Sequence, residues 1–585
     1  MSHEQTKLDS MIAQMINAPI RKTGLSLQRR IDLCNACIVA VQSVVDEWVF
    51  VGAEIKRGSG NKSVMAEELL TGPLIAVRLL RLLRETFDDL INYGFPRLPM
   101  LHPVETYSSM RRRVRVPIFP TRLLKDKWLF PGVSAEAVLL PETPWKTRHA
   151  AFLEMGYAPN VNRICAVLGA GNVSSVPFSD TVHKALVLGK QVILKMNPVN
   201  AALTFVFQKA FAPLIAVGLL AIVEGDSQLG ADLVAHAGVD EVHLTGSLAT
   251  YNRIVWGATQ TEQIERRRRE DPKLRKPITS ELGNVSPWII APGKYTTREL
   301  RSQACHVAAS ITNNVGFNCL ATRVIVTSSS WGQREEFLRL VREAMQATPL
   351  RNAYYPGAVD RYEQFTGQRV EPDQNGALPW SLLESKSPDL DPILFTEESF
   401  APVCVETMLQ SGMGEDFFIK ASEFCNHRLM GSLCASITVP NNAPLVQKKQ
   451  LNECIDRLRY GCVCVNQWSG LAYSLLTPGW GGSPLHKPES SGVGNIAGAE
   501  SGQGFVHNTY LLDQLEKSVV RGPLVDFIRP VWFPSHRYPL ELGQALFDFY
   551  ASDSLPQEYQ EKRSSFSGIR KLTQVMRYGA IGTLR

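Results

Sequence analysis

No run of apolar residues in this chain reaches the roughly 20 that a membrane-spanning helix needs. The longest, residues 210–223, is interrupted by Pro213 and Gly218 and is expected to be core. The opening MSHEQTKLDSMIAQM lacks the basic-then-apolar order of a secretory signal, so a cytoplasmic location and no membrane partner are expected. Cysteine is present only as eleven scattered residues, an odd number that suits no disulfide framework, and the thiols are expected to be reduced. Cys34 and Cys37 in CNAC have no second pair to complete a zinc site; they are expected as buried helix thiols, and no metal is expected. A net charge of +6 spread over 585 residues is too mild to argue for nucleic acid. Two basic runs, MRRRVRVP at 110–117 and ERRRREDPKLRK at 265–276, have no aromatic residues between their arginines to stack on bases, and each is expected to be a solvated face. Internal repeats and low-complexity segments are also lacking.

What the chain does have is 44% apolar residues, enough to bury a large core in more than one domain. The first hundred residues read as helices. In PLIAVRLLRLLRETFDDLINYG, Ile75, Leu79, Leu82, Leu83, Phe87 and Leu90 recur at three-to-four spacing, and Gly94 is the expected C-cap. From about residue 160 the pattern changes to short β-rich runs separated by helical stretches: RICAVLGAG, KQVILKMNP, LAIVEGD and VDEVHLTGS. A second series follows Glu281, with SPWIIAPG, TRVIVTSSS, ASITVPN and GCVCVNQ. This alternation predicts an α/β protein of two βαβ units in tandem, each a parallel sheet covered on both faces. The tail beyond about 505, rich in Pro and aromatics, reads as an extended arm.

Two motifs carry chemistry. GAGNVSSVP follows a strand as a dinucleotide fingerprint would, but Ser174 stands where the third glycine belongs, and no acidic residue ends the next strand. NNVGFNCLATRVIV places Cys319 at the end of a Gly-containing polar turn, directly before a strand-like run. Together with VILKMNP, VHLTGS, ITSELGNVSPWII, TEESFAPV, GCVCVNQW and PGWGG, these motifs occur, from about residue 160 to 482, in the order and near the spacing of one superfamily. The chain resembles the NAD(P)-dependent aldehyde dehydrogenases.

The resemblance implies two Rossmann-like lobes: a cofactor-binding domain at 1–282, a catalytic domain at 283–482 and a C-terminal extension at 483–585. It implies Cys319 as the nucleophile, in a turn whose open backbone amides favour the thiolate. Asn172 and the Cys319 N–H would form the oxyanion hole, and Glu281 would be the general base that hydrolyses the thioester. It further implies NAD or NADP as cofactor, with Lys195 and Glu398 at the ribose hydroxyls, Gly246 and Ser247 at the start of a helix facing the pyrophosphate, and Phe400 beside the nicotinamide. Trp468 and Tyr473 would line the aldehyde entrance. A homodimer or homotetramer is implied as well, an arm extending a neighbour's sheet.

Departures narrow the resemblance. Asn284 replaces a common glycine and Phe317 a common glutamine, both at the floor of the site. The segment from Gly246 to Glu281 is long and carries the basic run. Pro198 stands where NAD-preferring relatives commonly carry a glutamate. The rival readings are a CoA-acylating enzyme, which Glu281 opposes, and a non-catalytic relative, which the retention of Cys319, Asn172 and Glu281 together opposes.

Overall fold

The apolar stripe around Ile75 closes into the helix Pro73–Tyr93, begun by a proline at its first turn and ended by Gly94 at φ 76, whose N–H bonds to the Leu90 carbonyl. Cys34 and Cys37 are fully buried in the neighbouring helix Leu27–Ser43, and both helices belong to one apolar cluster with Phe87, Phe178 and Phe207. The structure, a computed structural model, describes residues 3–99, 104–108, 111–122, 124–140, 161–412, 415–442, 445–485, 505–512, 514–553 and 566–583. Among these no single helix is long and apolar enough to cross a membrane. Residues 210–223 divide among two short helices and a strand, with Leu214, Leu219 and Leu220 buried.

The first βαβ series forms a five-stranded parallel sheet in the order Leu220–Val223, Gln191–Lys195, Ile164–Leu168, Glu241–Gly246, Ile278–Leu282. The central strand Ile164–Leu168 is buried along its whole length, as its unbroken apolar sequence requires. In the register of the last two strands Thr245 stands opposite Glu281. Lys195 and Gly246 end their strands, so the loops that follow leave the carboxyl edge, where open α/β sheets bind ligands.

The second series builds a ten-stranded sheet. Its order is Val104–Ser108, Arg111–Phe119, Ser134–Leu139, Leu515–Arg521, Cys462–Val465, Cys434–Thr438, Ser286–Ile290, Thr322–Ser328, Val403–Leu409, Ser381–Leu383. The strands from Leu515–Arg521 to Ser381–Leu383 pair parallel, and the first three join them antiparallel.

Three expectations change. The tail is not an extended arm: Leu515–Arg521 is an interior strand, and the tail also carries the helices Pro539–Asp553 and Phe566–Thr583. Residues 104–139, counted with the cofactor lobe, belong to the large sheet. The run MRRRVRVP is not a solvated face either. In the strand Arg111–Phe119 the alternation sends Val114, Val116 and Ile118 into an apolar cluster, while Arg113 and Arg115 are buried on the other face. There Arg113 pairs with Glu516, and Arg115 with Glu136 and Asp456 at 2.6 Å each. The side chains of Arg111 and Arg112 lie outside the described residues. The second run behaves as expected: the exposed helix Gln260–Arg268 pairs Arg266 with Glu262 and Arg269 with Glu265 one turn away.

Candidate active site

A helix opened by a capping box of Thr296 and Glu299 runs from Thr297 to Thr312 and delivers the chain into a left-handed turn. Asn314, Val315 and Gly316 have φ of 48, 57 and 74°. For a β-branched valine this backbone is strained and persists only where the surroundings impose it. Gly316 also answers to a close approach, since a Cβ there would lie 2.6 Å from the Ala401 carbonyl oxygen.

The surroundings are polar and buried. Arg323 donates to the carbonyls of Ala401 at 2.7 Å, of Asn318 at 3.3 Å and of Gly316. The Asn314 N–H donates to Glu67 at 2.9 Å, and the Asn314 amide to the Asn172 carbonyl at 2.9 Å. Glu67 is itself held by Arg351 at 2.7 Å and Lys56 at 3.1 Å, while the adjacent Glu68 accepts from Ser174 in the Asn172 loop. One buried ion cluster on the helix Lys62–Thr71 therefore holds both loops. Below the nucleophile, Asn284 donates to Ser286 at 2.8 Å and to the Cys434 carbonyl at 3.0 Å, and Ser286 donates to the Cys319 carbonyl at 3.1 Å. The asparagine is thus a fixed brace under the cysteine. Phe317 is fully buried against Tyr354, Tyr355 and Phe400.

The Cys319 thiol donates to Glu281 Oε1 at 3.3 Å, and the Trp480 indole N–H donates to the same oxygen at 3.3 Å. Burial and the nearby Asp180 raise the Glu281 carboxyl to about 7, against the pull of those two hydrogen bonds. Asp180 accepts from Thr245 at 2.8 Å. The Cys319 thiol is pushed well above its ordinary range by burial first and then by Glu281 and Glu398. Desolvation and two carboxylates thus oppose the thiolate that the turn amides are expected to favour. The arrangement is a thiol with its proton aimed at a base poised near neutrality. Asn172 Nδ2 donates to the Phe317 carbonyl at 2.9 Å and lines the same cavity, with its second N–H still to give.

That cavity measures about 1560 Å³ and brings together Cys319, Glu281, Asn172, Lys195, Gly246, Ser247, Glu398 and Phe400, with Trp468 and Tyr473. Ser247 caps the helix Leu248–Val255, accepting from Thr250 N at 3.1 Å. Lys195 is lowered by burial, with only Asp226 opposing. Glu398 is partly buried, its carboxyl raised to about 7 by desolvation against Arg323, and its buried Oε1 has no hydrogen-bond partner among the described residues. An acceptor left unsatisfied in the same cavity as a buried lysine and a helix N-terminus fits a ligand rich in hydroxyls and phosphates. The sequence did not mark Glu67 or Asp180, which meet the site through tertiary contacts, and Arg323 lay inside the cysteine motif without a role. Trp480 lay inside PGWGG without a role, and its indole was the available signal.

The sequence pattern described as the Aldehyde dehydrogenase family matches residues 164–369. Betaine aldehyde dehydrogenase of Vibrio vulnificus is 31% identical over 131 residues, which cover 22% of this chain and 24% of that protein. The aligned segments span 12% to 50% of the length of the curated relatives. An NAD-dependent aldehyde dehydrogenase from Sinorhizobium meliloti has a similar structure, with TM-score 0.56 and 14% identity over 88% of this chain and 86% of that one. The NADP-dependent glyceraldehyde-3-phosphate dehydrogenase from Bacillus halodurans, solved with NADP, gives TM-score 0.53 and 16% identity over 88% and 91%. At these identities the likeness shows a shared fold.

Proposed function

We propose that the chain, whose residues 164–369 match the Aldehyde dehydrogenase family, oxidises an aldehyde to the carboxylic acid with NAD⁺ or NADP⁺ through a thioester on Cys319. The observation that carries the proposal is the thiol of Cys319 directed at Glu281, a carboxyl raised to about 7. Glu281 takes the thiol proton as Sγ adds to the aldehyde carbon. The resulting oxyanion is met by the Asn172 amide and the Cys319 N–H, an arrangement in which one donor is commonly worth about 10²–10³ in rate. A bound nicotinamide supplies the acceptor for the hydride that leaves this carbon. Lys195 and Glu398 would hold the ribose hydroxyls, Ser247 and the helix start would hold the pyrophosphate, and Phe400 would flank the ring.

The acyl group then stays on sulfur. Glu281, ionised again, takes a proton from water, the hydroxyl adds to the acyl carbon and the thiolate leaves, regaining its proton. Trp480 keeps the carboxylate oriented through both steps. A base beside the thiol supports hydrolysis over transfer to coenzyme A. A homodimer or homotetramer is part of the proposal; Val104–Ser108 and Ser381–Leu383 are the outermost strands of the large sheet among the described residues, where a second chain could pair, and light scattering reads the mass.

Glu281→Gln tests the reading. Because Glu281 also takes the thiol proton, the variant is expected to release about one NAD(P)H per site more slowly than the parent and then to stall as an acyl-enzyme visible by mass spectrometry. In the parent, deacylation should fall about tenfold per pH unit below 7, as Glu281 becomes protonated and loses its capacity as base. Steady turnover in the variant at the parent rate, or a pH profile flat from 5 to 8, rules out the assignment.

A further inference from the structure

Two neighbouring strands of the five-stranded sheet set four polar side chains on one face. In the register of Glu241–Gly246 against Ile278–Leu282, His243 stands opposite Thr279 and Thr245 opposite Glu281, and the period of two sends all four the same way. The helix Ser175–Val182, which follows the Asn172 loop, packs against the first of these strands and brings Asp180 to that face, 4% exposed. Its Oδ2 accepts from Thr245 at 2.8 Å, and its Oδ1 lies 3.4 Å from His243 Nε2. His243 is fixed from its other side, with Nδ1 2.8 Å from the Thr279 hydroxyl, to which the Lys184 ammonium donates at 2.8 Å. The hydroxyl accepts from Lys184 and donates to Nδ1, which assigns the ring's one N–H to Nε2, facing Asp180.

We infer that Asp180 is a positioning residue for the proposed oxidation, a buried charge fixed by Thr245 and His243 that makes Glu281 a stronger base. The inference rests on that reading and names what tunes its base. Two carboxyls that share a dry sheet face oppose each other's ionisation, so the one nearer the chemistry holds its proton longer. The groups around the pair leave this opposition in place. His507, which faces Asp180 from the strand Phe505–His507, is pushed down to about 4 by burial and is neutral where the enzyme works. His183, next along the chain from the helix of Asp180, is held well below its ordinary range by burial. Lys184 is turned to Glu241 at 3.3 Å and to Thr279. Facing Glu281 itself are Cys319, Trp480, Tyr473, Cys434 and Glu398, none of them a cation. Of the two carboxyls that oppose its charge, Asp180 outweighs Glu398.

The test uses the full-length protein and reads two pH profiles, the rate of deacylation and the rate at which iodoacetamide alkylates Cys319 in the resting protein. Both need Glu281 ionised, so both should inflect near its value of about 7 in the parent. Asp180→Asn keeps the size of the side chain and an oxygen for Thr245 but removes the charge. Glu281 then ionises at lower pH, and both inflections should move down by about one unit. At pH 6 the variant should keep about half of its plateau deacylation rate, where the parent keeps about a tenth. Asp180→Glu should bring the inflections back toward the parent. A role confined to packing would lower the rates or the melting temperature and leave the inflections where they were. Unmoved inflections in Asp180→Asn overturn the inference, as does an upward shift or an alkylation inflection that survives in Glu281→Gln. Should Asp180→Asn not fold, Thr245→Val decides: losing the hydrogen bond disfavours the Asp180 charge, so the inflections should move the same way by less, and no movement overturns the inference. If the parent oxidises no aldehyde, the oxidation reading falls, and the alkylation profile alone then decides whether Asp180 acts on Glu281.

Discussion

Pro198 opens the short helical turn Pro198–Leu203 after Lys195, with the Asn197 side chain accepting from Val199 N at 3.0 Å, and lines the cofactor side of the cavity. It offers the adenosine ribose neither a carboxylate nor a charge to repel a 2′-phosphate. Arg253 and Lys273 line the same cavity. Both NAD⁺ and NADP⁺ should therefore be accepted. Pro198→Glu should lower kcat/KM for NADP⁺ relative to NAD⁺ by roughly 10- to 100-fold, the scale of one partly screened like-charge contact. A parent that already rejects NADP⁺ by about a thousandfold sinks this reading. At this scale the sequence was informative where function is local: Cys319, Glu281 and Asn172 sit in short motifs and converge. It was silent on Glu67 and Asp180, because a residue brought in by packing carries no neighbouring pattern.

The turn 313–316 shows what an element needs beyond its own residues. Three successive left-handed positions, one a valine, do not hold themselves, and Glu67, from a helix some 250 residues earlier in the chain, supplies an acceptor for the Asn314 N–H. Glu67→Gln leaves Lys56 and Arg351 buried with one charge fewer, which should cost about 3–5 kcal/mol in denaturant unfolding. It should also loosen the turn, so that Cys319 alkylates faster while turnover falls. Parent-like stability together with a parent-like alkylation rate makes the clamp unimportant. The two basic runs show where patterns mislead. Composition alone calls both solvated. Only the period separates them: Arg113 and Arg115 alternate with valines as a strand does, and Arg266 and Arg269 lie one helical turn from their acidic partners.

For the molecule as a whole, the motif order made the paired α/β lobes legible, while the role of the tail depended on a strand pairing across hundreds of residues. Ending the chain after residue 530 keeps the strand Leu515–Arg521 but removes the helix Pro539–Asp553 with its buried Leu542, Phe547 and Phe549. Those three side chains account for roughly 4–9 kcal/mol at about 1.5–3 each. The truncated chain should melt lower and show a raised KM for aldehyde, since Trp532 and Tyr550 line the cavity that holds Cys319. An unchanged melting temperature and aldehyde KM make the tail dispensable. The same interior strand has a consequence for biosynthesis. Leu515–Arg521 separates Ser134–Leu139 from Cys462–Val465, so a nascent chain holds its early hairpin without a partner until the tail leaves the ribosome. At about 5–20 residues per second that wait lasts roughly 20–80 s, and during it the unpaired edge is what a chaperone would have to cover.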